Sequence, residues 1–142
     1  MSNNDGKIEF MNLYSENPSE FEEETAKDIL TLSIKTFSPK IAFASSFGAE
    51  DVVIIDLMYN IHGDNTRVFT LDTGRLNPET YDVMDKIRKK YSISIETMFP
   101  DFMEVEKMVT ENGVNLMYNS VQERKLCCEI RKVHPLRRML NF

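Results

Sequence analysis

The sequence predicts an α/β domain in which a parallel sheet is covered by helices, and two observations carry that reading. Three short apolar runs, IAFAS (41–45), RVFTLD (67–72) and SISIETMFP (92–100), alternate with longer segments of helical period. Strand, helix, strand, helix, strand, helix is the order that a parallel sheet with crossover helices requires. The first two runs are continuously apolar, as in strands buried on both faces, while the third alternates isoleucine with polar residues.

The remaining elements follow in chain order. Residues 1–35 read as an acidic N-terminal arm entering a helix, started at Pro18 or Ser19, with Phe21, Ala26, Ile29, Leu30 and Ile34 roughly on one face. SFGAED supplies a turn and a helix start, and VVIIDLMYN continues as an apolar helix to about His62-Gly63. TGRLNPETYDVMDKIRKKY is a turn and then a helix, with Pro78 and Glu79 in its first turn and Lys86, Arg88, Lys89 and Lys90 near its end, where the helix dipole favours cations. DFMEVEKMVTENG is an amphipathic helix with Asp101 as N-cap and Gly113 beyond its last turn. The last segment is predicted helical from about Cys127, with Pro135 making a break or a new start after His134.

Length and composition fit one domain over residues 1–142, for 42% of residues are hydrophobic and 28% charged. No stretch approaches the roughly 20 apolar residues that span a bilayer. MSNNDGKIEF has neither the basic nor the apolar region of a signal peptide, so the expected compartment is the cytoplasm, with no membrane partner. A net charge of -6 argues against a nucleic-acid partner, but the charge is uneven. Residues 1–30 carry eight acidic and two basic groups; from 124 to 138, Arg124, Lys125, Arg131, Lys132, Arg137 and Arg138 face Glu129 alone. Such a run is ordinarily a solvated helix face, and it becomes a candidate anion patch because the only two cysteines lie inside it.

In open parallel sheets, ligands bind at the carboxyl ends of the strands. Here those ends carry Ser45-Ser46-Phe47-Gly48-Ala49-Glu50-Asp51 and Asp72-Thr73-Gly74-Arg75. Two hydroxyls, a glycine and a helix N-terminus can hold an anion, although Glu50 and Asp51 in a first turn are also ordinary dipole partners. Arg75 is a fixed cation able to pair with phosphate or sulfate; equally, Asp72 can cap a backbone group and leave Arg75 exposed. Neither the P-loop nor the dinucleotide fingerprint is present, and two such turns together favour a nucleotide site.

Cys127 and Cys128 are adjacent, which disfavours a disulfide between them. Nearby cations favour thiolate, suited to metal ligation or nucleophilic attack, whereas the bland alternative is one buried and one exposed cysteine with no chemistry. Zinc is disfavoured, since no CxxC and no paired histidines occur, only His62 and His134.

SSFGAEDVVI, LDTGRLNPETYDVMD and CCEIRKVHPLRR, in this order, resemble the thioredoxin-dependent sulfonucleotide reductases of sulfate assimilation, in their adenylyl-sulfate reductase branch. The resemblance runs from about residue 20 to the end. It implies a Rossmann-like fold of the adenine nucleotide α-hydrolase (PP-loop) type, with the C-terminal part missing and 41–142 forming an incomplete reductase core. It implies that Ser45, Ser46, Phe47, Gly48, Glu50 and Asp51 form a modified pyrophosphate loop for adenosine 5′-phosphosulfate. Asp72, Thr73, Gly74 and Arg75 would line the same pocket. Cys127 and Cys128 match two of the four ligands of a 4Fe-4S cluster, and Lys132 would lie between cluster and substrate. The implied reaction is reduction of adenosine 5′-phosphosulfate to sulfite and AMP with thioredoxin, through a Cys-S-sulfonate on a C-terminal cysteine that this sequence lacks. The expectation is therefore an N-terminal portion, inactive alone. Reduction of the 3′-phosphorylated nucleotide is the alternative substrate reading. An inactive nucleotide-binding module and an ATP-using PP-loop enzyme are the other two readings, and self-association stays open.

Overall fold

The computed structural model describes residues 25–141, so the acidic arm and the expected start at Pro18 or Ser19 lie outside the described residues. Helix α1 (Ala26–Phe37) opens on a capping box, in which Thr25 accepts from the amide of Asp28 while the Asp28 carboxylate accepts from that of Thr25. Strand β1 (Phe43–Ala44), helix α2 (Ala49–His62), strand β2 (Val68–Leu71), helix α3 (Pro78–Tyr91), strand β3 (Ile95–Met98) and helix α4 (Phe102–Asn112) follow. Helix α5 (Val121–Cys128) then runs through a π turn (Glu129–Val133) into helix α6 (His134–Leu140).

The strands form one parallel sheet in the order β1-β2-β3. Phe43, Val68 and Ile95 are in register across it. These side chains pack with Val52 and Ile55 of α2 and Val83, Ile87 and Tyr91 of α3, and make the main core. A second core joins Val105, Met108 and Val109 of α4, the 3-10 turn Leu116–Tyr118, Cys127 and Ile130. Arg67 donates to both carboxylate oxygens of Glu96, at 3.0 and 3.1 Å, and braces β2 against β3.

Two expectations need correction. IAFAS is not a strand buried on both faces: only Phe43 and Ala44 pair, at the sheet margin, and Ala44 is exposed because it lines an open cleft. The last helical segment starts at Val121 rather than near Cys127, because Ser120 accepts from the amide of Glu123 and caps it there. Pro135 falls in the first turn of α6, and the π turn carries the chain past it without a break. Asp101 caps α4 as expected, accepting from the amides of Met103 and Glu104, and Gly113 closes it at φ 83°.

A polar clasp holds α2 to α3. The Tyr91 hydroxyl donates to Asp56, and the Lys90 ammonium lies 2.7 Å from that hydroxyl. The Tyr91 bond, ahead of the attraction of Lys90, lowers the pKa of Asp56. Burial first, and then the Asp56 bond, raise that of Tyr91. A lowered carboxylate contributes stability above its unfolded value and loses it as pH falls through the folded one; a raised phenol contributes below its unfolded value and loses it as pH rises. The stability advantage of wild type over Tyr91→Phe is therefore expected to be widest near neutrality and to shrink below about pH 4 and above about pH 10, as measured by urea titrations across pH. Ile55 has no exposed surface, so Ile55→Ala is expected to cost about 2–5 kcal/mol in the same unfolding measurement.

Candidate functional site

The turn after β1 is built around a carboxylate. Asp51, in the first turn of α2, accepts from the amide of Ser46 at 2.6 Å and its hydroxyl at 2.9 Å, with the Ser45 hydroxyl at 3.3 Å. Ser45 is buried, and its Oγ accepts from the amide of Phe47 at 3.0 Å. Phe47 takes φ 62°, a conformation rare for a bulky residue, and its ring is buried in the main core. The ring thus anchors a backbone that would otherwise relax. Gly48 precedes the helix at φ -64°, an ordinary backbone, and a Cβ there would stand 3.3 Å from the Glu50 carboxyl group. The first-turn amides of α2 have no intrahelical acceptor and open toward this loop.

The turn after β2 is also organised by its own side chains. Asp72 is buried and accepts from the amide of Gly74 at 2.8 Å and from the Tyr81 hydroxyl at 3.0 Å. Burial first, then this bond, raise the pKa of Tyr81. Thr73 is buried, and its Oγ accepts from the Arg75 amide at 3.2 Å. Gly74 takes φ 69°, which a side chain would strain. Arg75 points away along the surface and donates to the carbonyl of Val114 and to Asn115 Oδ1, at 2.9 and 3.0 Å.

These turns meet in a cleft of about 250 Å³ lined by Ala44, Ser45, Ser46, Phe69, Thr70, Leu71, Thr73, Leu76 and Lys132. Three segments far apart in sequence therefore share one concavity. Lys132, exposed in the π turn, brings the one cation of the lining; Arg75, expected there, is not part of it. Cys127 is buried in the helical core and Cys128 is exposed, one following the other on α5.

The sequence reading passed over Arg131, counting it only in the basic run. Its side chain is buried, at 8% exposure, and Nη1 donates to the carbonyl of Thr73 at 2.6 Å. Nε is buried without a partner. A signal was available: the buried positions 127, 130, 131, 135 and 139 form a helical stripe, and a charged residue inside such a stripe is rarely incidental.

Residues 40–141 match the family of the phosphoadenosine phosphosulfate reductase domain. The chain is 43% identical over 128 residues to the chloroplastic 5′-adenylylsulfate reductase 3 of Arabidopsis thaliana, covering 90% of this chain and 27% of that protein. It is 38% identical over 122 residues to the adenosine 5′-phosphosulfate reductase of Pseudomonas aeruginosa, covering 86% of this chain and 44% of that one. The chain spans about a quarter to a half of the length of these relatives. Its fold is similar to a phosphoadenylyl-sulfate reductase from Candida auris solved as a phosphate complex, with TM-score 0.74, 22% identity, and coverage of 89% of this chain and 60% of that one. No helix among the described residues is long and apolar enough to cross a membrane. Sequence and fold agree, and the chain belongs to the phosphoadenosine phosphosulfate reductase family, the sulfonucleotide reductases.

Proposed function

We infer that this chain is the nucleotide-binding part of a reductase that converts adenosine 5′-phosphosulfate to sulfite and AMP, with thioredoxin as the reductant, in sulfate assimilation. The observation that carries the reading is the single cleft shared by the turn after β1, the turn after β2 and Lys132. A sulfonucleotide is an anion with a planar base. The cleft supports such a ligand with apolar walls from Phe69, Leu71 and Leu76 and with polar groups from Ser45, Ser46 and Thr73. Lys132 offsets phosphate or sulfate charge, and the first-turn amides of α2 supply the positive end of a helix dipole. Asp51 does not contact the ligand in this reading. It holds Ser45 and Ser46 so that the loop is set before the anion arrives.

Adenosine 5′-phosphosulfate is preferred over its 3′-phosphorylated form because relatives such as the Pseudomonas aeruginosa protein carry that substrate in their names, and the Cys127-Cys128 pair accords with that branch. The pair fits only half of a 4Fe-4S site. The sequence holds no other cysteine, and among the described residues no group of three or more His, Cys, Asp and Glu could hold a metal ion. These 142 residues therefore do not supply a complete cluster site.

Two measurements test the reading. Calorimetric titration is expected to give binding of adenosine 5′-phosphosulfate, with Lys132→Ala weakening it about tenfold, or about 1.4 kcal/mol, and reducing its salt dependence. Absence of binding by the wild-type chain would overturn the reading. With thioredoxin and a thiol reductant the purified chain is expected to release no sulfite, since it has no further cysteine to act as nucleophile; sulfite above the blank would remove the assignment of a C-terminal nucleophile.

A further inference from the structure

Arg131 carries a charge in a place where charge is costly. Its guanidinium is more than nine-tenths buried, and among the described residues no carboxylate pairs with it. A buried, unpaired cation is unfavourable unless its donors are used. Here one donor is used, on a residue 58 positions away: Nη1 reaches the Thr73 carbonyl at 2.6 Å. Gly74 leaves room for the contact, since a Cβ there would stand 3.4 Å from Nη1. The same π turn that carries Arg131 also carries Lys132, which lines the cleft, and Cys128 is the residue immediately before that turn. Few other polar contacts run between the Asp72–Arg75 turn and the helical half. Arg75 makes the second, to Val114 and Asn115, well away from the cysteines in sequence.

We propose that Arg131 is a positioning residue that couples the Asp72–Arg75 turn to the cysteine end of α5, so that a nucleotide in the cleft and the exposed thiol of Cys128 bias one another. The proposal rests on the reading of the cleft as a sulfonucleotide site. Thr73 lines that cleft through its own atoms and holds Arg131 through its carbonyl, so a ligand that shifts the turn shifts the guanidinium and the π turn with it. The partnerless Nε leaves the guanidinium held at one end, able to follow the carbonyl. Coupling of this type is reciprocal: whatever the nucleotide does to the surroundings of Cys128, modification of Cys128 does to nucleotide affinity.

The test uses the 142-residue chain and AMP as the probe. Alkylation of Cys128 by iodoacetamide is followed by peptide mapping, which separates it from buried Cys127, with and without saturating AMP. In wild type, AMP is expected to change the Cys128 rate by on the order of fivefold, and alkylated Cys128 to change AMP affinity by the same factor. In Arg131→Gln, at AMP concentrations raised until the site is again saturated, the rate change is expected to vanish. Arg131→Lys keeps the charge but replaces the rigid fork with a flexible single donor; it is expected to give an intermediate response, and it serves if Arg131→Gln does not fold. An undiminished AMP response in either variant overturns the proposal, as does a wild-type Cys128 rate indifferent to bound AMP. If neither AMP nor adenosine 5′-phosphosulfate binds wild type, the cleft reading itself fails, and the coupling with it.

Discussion

The hydrogen bond from Arg131 to the carbonyl of Thr73 is the constraint on which the rest of the arrangement turns. The chain has two cores, one between the sheet and α2 with α3, the other within α4, the 3-10 turn and α5. Polar bonds tie the second half to the carboxyl ends of the strands. Arg131 reaches the end of β2, Arg138 donates to the carbonyl of Phe99 just beyond β3, and Arg75 reaches back from the β2 turn to Val114 and Asn115. Each places an arginine on a backbone oxygen, with the Asn115 side-chain oxygen added for Arg75, in charge-assisted bonds of directional geometry. Apolar packing alone is non-directional and would let the helices slide; bonds aimed at single carbonyls fix where Lys132 stands over the cleft.

The two strand-end turns are rigid for a related reason. Each has an aspartate whose carboxylate takes up local donors: Asp51 gathers both serines and the Ser46 amide, and Asp72 gathers the Gly74 amide and Tyr81. A carboxylate at the mouth of the cleft has a local target. It spends its charge on the loop's own donors, and Lys132 stays in the lining of the cleft. Preorganisation of this sort shifts the cost of ordering from the binding event to folding. The burial of Phe47 at positive φ belongs to the same device, since the main core holds a backbone that the loop could not hold by itself.

Much of this was legible in the residues. The strand and helix order, the helix starts at Gly48-Ala49 and Asn77-Pro78, the Asp101 cap and the Gly113 stop were each written in local chemistry: an acidic first turn, a proline at the start, a glycine at the end. Such signals act within a few residues, which is why they survive without any knowledge of neighbours. The start of α5 lies before the cysteines because Ser120, with Glu123 at its third helical position, caps the helix there. β1 is shorter than its apolar run, because an apolar run does not reveal which of its residues line a cleft.

The sequence by itself determined the α/β class and the family, because periodicity, caps and contiguous motifs are properties of neighbouring residues. Only the tertiary structure decided which charge does what. Arg75, the arginine inside the motif, is spent on a surface turn, while Arg131, hidden in a basic run, is buried against Thr73. The physical reason is that a long cationic side chain goes where desolvation is offset by an acceptor, and that acceptor, a backbone carbonyl 58 positions away, leaves no mark in the order of the residues.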